Sequence, residues 1–425
     1  MYKYIVFPKK HKPSFRKKSL KISTIEGSWW SVMFGAGESY LGAYFEFLKF
    51  TSFQISVIST LPSLAGSIIQ SLTGTLFHVL KSRKKLLIFL KVIQGIIWLC
   101  FIFSIFYTKD FKILLIFASI YYIAALSMMA PWNSWMGYLV PSKIRGRYFG
   151  NRSQIVRIFM LLSSVIAGLI LHFFSSGDTS RGFLIIFSIA FIANIGSIFF
   201  LTKKYEPPYT EITEQNTKIN LKNKNYQKIR SFILFDSISE FSISILAPLV
   251  VLYWLRDLNF NYLDLTLVTT ISQLVALFSM RYWGIILDKY GTMSTIHLSS
   301  FILIFLPFLW YLIYFFNPIL ILPSTIFIAS VSALIFGGRA LAMDNRLFEL
   351  MKGENIINIS AKRFYYRGIS LFLGGLVGGY LSTLNLNTIE MVFPLPSLLH
   401  PVMFAAIFIR TLVWVYLFFV GKKTF

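Results

Sequence analysis

The stretch PWNSWMGYLVPSKIRGRYFGNR, residues 131–152, decides how the rest of the chain can fold. A long apolar run leads into it, and Tyr148 and Phe149 open a second apolar run behind it. Pro131 and Pro141 restrict the backbone on either side of a short basic loop. This order predicts two membrane helices joined by a charged loop. A positively charged stop at a cytoplasmic membrane edge explains the basic residues alone, whereas the Pro-Trp-Asn-Ser-Trp sequence leaves an added gating role equally open.

The composition places the whole chain in a membrane. Of its 425 residues, 56% are hydrophobic and only 14% are charged, against about 25% charged residues in soluble globular domains. The net charge of +24 comes from Lys and Arg in blocks between apolar runs, which orient helices and argue against binding to nucleic acid. A single cysteine, Cys100, excludes an intrachain disulfide and a cysteine-based zinc cluster. We therefore expect an all-α membrane protein without a metal or cofactor.

Hydropathy predicts twelve transmembrane helices, because a spanning helix needs about 20 mostly apolar residues. The runs that meet this test are 24–47, 53–80, 86–107, 111–138, 149–174, 182–201, 230–254, 263–287, 294–316, 319–344, 364–384 and 400–420. The one long polar break is 202–229, which has the composition of a linker. The predicted organisation is a basic tail at 1–23, a six-helix half at 24–201, the linker, and a second six-helix half at 230–420.

The distribution of basic residues predicts the orientation. Of the 41 Lys and Arg residues, only five lie in the odd-to-even connections: Lys49, Lys109, Lys112, Arg181 and Arg256. Since basic residues stay on the cytoplasmic side, both termini are expected there. No small-residue cleavage site follows the basic first 21 residues, so the first apolar run should remain as a helix.

An internal repeat supports the division into halves. A shift of 210 residues places Glu26 on Asp236 and Gly74 on Gly284, and it brings Arg152 onto Lys362. A parallel duplication of this kind is typical of two-domain transporters.

The RGRYFGNR sequence after a Trp-rich fourth apolar segment resembles the loop between helices four and five of the major facilitator superfamily. The closest likeness is to little-characterised bacterial members with a PxWxSWMxDLVPxxxRGRYFGxR pattern, and Tyr138 stands where that pattern usually has Asp. The resemblance implies a monomeric transporter in the bacterial inner membrane. It also implies that helices one, four, seven and ten line a central cavity.

A second motif concerns the cytoplasmic gate. Gly284, Asp288 and Gly291 have the G-x3-D-x2-G spacing that resembles the superfamily signature between helices eight and nine. A carboxylate at a helix end can hold arginines across an interface that must later open, so we expect Asp288 to act with Arg145, Arg147 and Arg152; a simple helix cap is the alternative. The first-half copy has His78 in place of the acid, which is either a packed neutral histidine or a weaker, pH-sensitive contact.

Three ionisable residues lie near the middle of predicted cavity helices: Glu38, Glu240 and Arg339. Charged groups at this depth are candidates for function, and two acids with one base would leave one carboxylate free to carry a proton. The alternative is that the three serve separate interhelical contacts. The other candidates for the cavity are Trp132, Asn133, Gln154 and Arg157.

These observations predict a secondary active transporter that moves a small solute by alternating access, with protons as the candidate coupling ion. A P-loop is absent from the sequence, and we find no pattern typical of an intramembrane enzyme. A non-transporting receptor or lipid-handling relative remains the main alternative, and an intramembrane enzyme is the weaker one. Substrate, direction of transport and the role of Arg410 stay open at this level.

Overall fold

The computed structural model describes residues 13–80, 82–141, 144–175, 177–206, 224–350, 356–384 and 396–421, and these form an all-helical protein. The helices are α1 (Pro13–Ala36), α2 (Leu41–Phe47), α3 (Ser52–Leu80), α4 (Arg83–Tyr107), α5 (Phe111–Ser127), α6 (Met129–Leu139), α7 (Arg145–Phe174), α8 (Thr179–Lys203), α9 (Lys224–Ser244), α10 (Val250–Leu252), α11 (Tyr262–Ile313), α12 (Pro318–Leu350), α13 (Ile356–Leu381) and α14 (His400–Tyr416). Within the described ranges, nine helical stretches are long and apolar enough to cross a membrane. The predicted all-α membrane fold is therefore confirmed.

Several helix bounds differ from the hydropathy runs. Helix α1 begins at Pro13, inside the segment that the sequence assigns to the basic tail, because its first turns pack against the protein: Ser19 and Ser23 are buried. Helix α13 begins at Ile356, well before the predicted residue 364. A hydropathy profile detects only the apolar part of a helix, so it does not include a polar first turn. Most of the predicted linker, residues 207–223, lies outside the described residues.

Three interruptions bend the long helical segments. Gly37 separates α1 from a 3-10 turn at Glu38–Tyr40, and Met128 separates α5 from α6. Gly291 interrupts α11 with a φ of 78°, a conformation that glycine adopts without steric penalty. Helix α11 therefore consists of two arms that meet at Gly291.

Side-chain contacts define two ends of the helix bundle. At the first, which we call the Glu46 end, Glu46 pairs with Arg256 and the rings of Phe183 and Tyr262 are 6.0 Å apart. At the second, which we call the Gly291 end, Trp135 Nε1 donates to the carbonyl oxygen of Tyr205 at 3.0 Å. The helices run back and forth between these two ends.

The apolar core differs between the two ends. One large cluster joins residues of both halves towards the Glu46 end, including Trp98, Phe187, Tyr253 and Trp310. Near the Gly291 end the described residues form separate clusters, one around Trp135 in the first half and others in the second half. Among the residues whose side chains are described, the halves therefore share an apolar core only towards the Glu46 end.

The glycines of α13 explain how the halves approach each other. Gly374 and Gly378 face α9, where a Cβ would collide with the backbone at Phe241 and Ile245. Gly379 faces α3, where a Cβ would lie 2.9 Å from the Cβ of Ser56. Gly375 also faces α3, at Thr60. The glycines thus form two GxxxG pairs: Gly374 and Gly378 pack within the second half, and Gly375 and Gly379 pack across the interface.

Candidate functional site

The second half contains a buried cluster of charges between α9 and α13. Asp236 and Glu240 lie one turn apart on α9, and Arg363 and Arg367 lie one turn apart on α13. Arg363 Nε is 2.6 Å from Asp236 Oδ2, and Arg367 Nη2 is 2.6 Å from Glu240 Oε2. Since both helices repeat with nearly four residues per turn, the matching spacing allows two parallel ion pairs.

Helix α12 completes this cluster. Arg363 Nη1 also reaches Asp344 Oδ1 at 2.7 Å, so it bridges two carboxylates. Arg339 is buried and donates a hydrogen bond to Ser239 Oγ. The charges of Asp236 and Glu240 both act on Arg339. The predicted residues Glu240 and Arg339 therefore belong to one electrostatic network, although each has its own direct partner.

The first half has a corresponding but looser arrangement. Glu26 of α1 lies 3.8 Å from Arg152 of α7, and its other carboxylate oxygen accepts a hydrogen bond from Ser197 at 3.0 Å. The Arg152 guanidinium lies over the ring of Trp132, 4.7 Å from its centre. Arg152 thus binds Glu26 and Trp132 here; its predicted part in the gate stays a prediction.

Glu38 lies apart from the cluster in the second half. It follows the break at Gly37, where it accepts a hydrogen bond from Tyr121 at 2.7 Å, and Tyr122 is a further hydroxyl partner. Lys91 of α4 is buried, and within the described residues its Nζ has no hydrogen-bond partner. The charges of Glu26 and Glu38 both act on Lys91, which makes it the shared counter-charge of these two acids.

The remaining predicted cavity residues are more exposed. Asn133 and Gln154 are exposed, whereas Trp132 and Arg157 are half-buried. No contact joins Asn133 or Gln154 to Glu38, Glu240 or Arg339 in the described part of the chain.

The predicted gate residues lie at the Gly291 end. Asp288 is exposed, and no described basic side chain lies within ion-pair distance of it. Arg147 is exposed as well, and the side chain of Arg145 lies outside the described residues. Gly284 has open space around it. Among the described side chains Asp288 therefore has no gate partner, and its role with Arg145, Arg147 and Arg152 stays a prediction.

The Glu46 end is closed by an ion pair that the sequence analysis did not single out. Arg256 Nη2 lies 2.6 Å from Glu46 Oε2, and its Nε donates to Glu46 Oε1 at 2.8 Å. A guanidinium that binds both oxygens of one carboxylate forms a bidentate ion pair, which is strong and directional. It joins a residue of the first half to a residue of the second half.

Sequence reasoning also missed Arg363, Arg367 and Lys91. Each was counted among the basic residues near a helix end, because Arg363 precedes the apolar run 364–384 and Arg367 and Lys91 lie in the first turns of their runs. The i, i+4 spacing of Arg363 and Arg367, matched to that of Asp236 and Glu240, is the signal that could have identified the pairs. No group of His, Cys, Asp or Glu within the described ranges could hold a metal ion.

Comparisons with known proteins identify the fold. A family model described as Major Facilitator Superfamily matches residues 25–347. The crystal structure of the nucleoside transporter NupG is 15% identical, covers 94% of this chain and 98% of its own, and superposes with a TM-score of 0.67. No curated protein sequence has a significant similarity to the chain.

Two further solved structures have the same fold. A D-xylose–proton symporter is 15% identical with a TM-score of 0.68, and it covers 94% of this chain and 97% of its own. A bacterial homologue of the iron transporter ferroportin, in an inward-facing state, is 10% identical with a TM-score of 0.70, and it covers 94% and 98%. At such low identities the likeness concerns the fold alone.

Proposed function

Because this chain belongs to the major facilitator superfamily, we propose that it is a secondary active transporter that moves a small solute across the cytoplasmic membrane by alternating access. The family and its transporter neighbours indicate a transporter rather than an enzyme. In the proposed arrangement twelve helices form two six-helix halves, and both termini lie in the cytoplasm. The break at Gly291 supports counting the two arms of α11 as separate spans, and the basic residues support the orientation.

The observation that carries the proposal is the difference between the two ends. At the Glu46 end, the Arg256–Glu46 pair and a common apolar core join the halves. At the Gly291 end the halves keep separate cores, and Asp288 is exposed. With the proposed orientation, this is a conformation open to the cytoplasm. An inward-facing state is also named for the ferroportin homologue with the same fold.

In the proposed cycle the two ends alternate. Opening the Glu46 end would break the Arg256–Glu46 pair. Closing the Gly291 end would give Asp288 its basic partners among Arg145, Arg147 and Arg152. The first event exposes charges that were paired, and the second pairs charges that were exposed. A solute bound between the halves would then be exposed to one side at a time.

The geometry refines the proposed coupling site. Glu240 is held by Arg367, so its charge is balanced. Glu38 has hydroxyl partners and no ion pair within 4.0 Å among the described residues. A carboxylate in this setting is the one that can take up and release a proton most readily. We assign the coupling proton to Glu38, and we assign Glu240 and Arg339 to the solute side of the cavity.

The test is uptake into proteoliposomes with and without an inward proton gradient. A panel of radiolabelled uridine, xylose and short carboxylates covers the solute classes of the structural neighbours and adds anions. Wild type should accumulate at least one of these solutes. Glu38→Gln should lose the accumulation that the proton gradient drives, while the exchange of labelled for unlabelled solute across the membrane continues. Asp178→Asn, in an exposed loop, is the matched control and should behave as wild type.

Two outcomes would contradict the proposal. Gradient-independent accumulation by wild type, or full gradient-driven accumulation by Glu38→Gln, would exclude Glu38 as the proton carrier. If no solute of any class crosses the membrane, and the cysteines of the labelling experiment described next do not change their accessibility, we would conclude that the protein is a non-transporting receptor.

Alternating access can be tested by cysteine accessibility together with transport. In a Cys100→Ser background, Glu46→Cys and Arg256→Cys would be joined by a short bifunctional thiol reagent. We expect the joined protein to keep a cysteine at position 288 open to reagents added on the cytoplasmic side and to lose all transport. Transport by the joined protein would contradict the proposed cycle.

A further inference from the structure

Arg410 of α14 is a buried charge without a carboxylate. Its residue surface is only 7% exposed, and its Nη1 donates to the carbonyl oxygen of Leu303 at 2.8 Å. Its Nε is buried and has no acceptor, and no described Asp or Glu lies within ion-pair distance of it. One neutral carbonyl does not balance a full charge in a dry interior. Removing an uncompensated charge from water is costly unless another group neutralises it.

The neighbouring charge makes the imbalance worse. The charge that acts on Arg410 is that of Arg339, which has the same sign. Arg339 is 5% exposed, and its Nε is also buried without an acceptor in the described part of the chain. Two like charges in a low-dielectric interior repel each other strongly. A native interior tolerates such a pair when an ion of opposite charge lies with them.

The acids nearby are already engaged. Asp236 and Asp344 are both held by Arg363, and Glu240 is held by Arg367. With Arg339 and Arg410 included, the described residues of this cluster supply four guanidinium groups and three carboxylates. One positive charge is left over, and it falls on the two arginines that have no acid of their own.

A third donor lies on the helix that faces Arg410. Ser300 of α11 is buried, its hydroxyl has no partner within the described residues, and it lies one turn before Leu303. Helices repeat with 3.6 residues per turn, so residues three apart share a face. The side chains of Arg339, Arg410 and Ser300 therefore offer unused hydrogen-bond donors from three different helices, α12, α14 and α11.

We propose that a small monovalent anion binds inside the second half, between Arg339 and Arg410, with Ser300 as a further donor. Its chemistry is that of a halide or a short carboxylate: compact, singly charged, and able to accept several N–H and O–H bonds. The anion would neutralise the left-over charge and satisfy the unused donors. This site shares Arg339 with the solute side of the cavity proposed above, but a resident counter-ion would stabilise the fold whether or not any solute is transported.

The test measures the stability of the purified full-length protein in detergent. Sodium gluconate, whose anion is too large for a buried site, is replaced at constant ionic strength by sodium chloride, sodium nitrate or sodium acetate. Wild type should show a rise in Tm that continues with the logarithm of the small-anion concentration above Kd, since a ligand that binds only the folded state stabilises it in that proportion. Arg410→Gln, which keeps a donor for the Leu303 carbonyl, should lose that rise.

Arg181→Gln is the matched control. Arg181 is an exposed arginine that pairs with Asp178 between α7 and α8, and its variant should respond to the small anions as wild type does. Arg410→Met serves as a second variant, and in gluconate it should be at least as stable as wild type because it removes the unbalanced charge.

The anion series identifies the source of the ligand. A rise with chloride that is lost in Arg410→Gln indicates an inorganic anion, and a rise with acetate alone indicates a carboxylate. If all salts act alike on wild type, or if Arg410→Gln keeps the full response, the site does not exist. Because no transport is measured, these outcomes are independent of those for the transport proposal.

Discussion

Glu26 and Asp236 lie 210 residues apart in the predicted repeat. Glu26 on α1 faces a basic residue of α7, and Asp236 on α9 faces a basic residue of α13. The two contacts differ in strength. Asp236 is held by Arg363 at 2.6 Å, whereas Glu26 is 3.8 Å from Arg152. The two positions matched by the predicted repeat therefore both make an acid–base contact, α1 with α7 and α9 with α13, but the geometry of the two contacts differs.

The difference lies in what else surrounds each acid. Asp236 has a second guanidinium, that of Arg367, at 3.9 Å. Glu26 instead accepts a hydrogen bond from Ser197 and lies in the field of the buried Lys91 and Lys204. A direct pair of buried charges fixes two helices to each other, while a carboxylate surrounded by a hydroxyl and more distant ammonium groups can shift at little cost. We infer that the first half has the more adaptable charge network.

The largest effect is expected from breaking the direct pair. Arg363→Met leaves Asp236 buried without its partner, and the loss of one member of a buried ion pair destabilises a protein by about 3 kcal/mol. Thermal unfolding in detergent should show a clear fall in Tm. The double variant Asp236→Asn with Arg363→Met should recover most of it, since no buried carboxylate is then left unpaired; Asp344 also loses Arg363, but its side chain is 58% exposed to solvent. A double variant as unstable as the single one would contradict this account.

A smaller effect is expected from the corresponding change in the first half. Arg152→Met removes the longer ion pair, the hydrogen bond from Arg152 Nε to the Ser23 carbonyl oxygen and the contact with Trp132. Glu26 keeps its hydrogen bond from Ser197, so we expect a loss of about 1 kcal/mol, in the range of one such hydrogen bond. The same unfolding measurement checks it. A loss larger than that of Arg363→Met would reverse the comparison between the halves.

Much of this architecture could be predicted from the sequence, because apolar runs indicate the membrane helices and the placement of basic residues indicates their orientation. The acids Glu26 and Asp236 were matched by the repeat, and Glu240 and Arg339 were recognised by their depth. The partners were not predicted. Arg363 and Lys91 lie close to the ends of apolar runs, where a basic residue usually faces the membrane surface, and only the packing of α13 and α4 against their neighbours buries them.

The position of Glu38 shows a second limit. Its place in an apolar run suggested the middle of a continuous helix, but the chain breaks at Gly37 and turns Glu38 towards Tyr121. Hydropathy does not register such a break, because both sides of it remain apolar. Candidate residues for the cavity could therefore be named from the sequence, and their place in a cavity stays a prediction, whereas their grouping into separate networks depended on three-dimensional contacts.

The smallest effect at neutral pH concerns Lys204, which supplies part of the field around Glu26. Lys204 follows the end of α8, where its Nζ lies 4.3 Å from the centre of the Trp135 ring, and burial lowers its pKa from 10.5 to about 8. The folded protein then releases this proton near pH 8, while the unfolded chain holds it until about pH 10.5. Between these values the unfolded state binds more protons, so Lys204 makes stability rise with pH; below pH 8 both states are protonated and its contribution is constant.

Lys204→Met should unfold at nearly the same temperature as wild type at pH 7. Removing the buried charge stabilises the folded protein, and losing the cation–π contact destabilises it by a similar amount. Its Tm should rise less than that of wild type between pH 8 and 10.5. Lys203→Met is the control, because the neighbouring Lys203 is exposed and lies over the ring of Phe199 at 3.7 Å, and it should retain the wild-type pH profile. Equal profiles for both variants would show that the charge of Lys204 is not buried beside Glu26, and the adaptable network of the first half would then reduce to Lys91, Ser197 and Arg152.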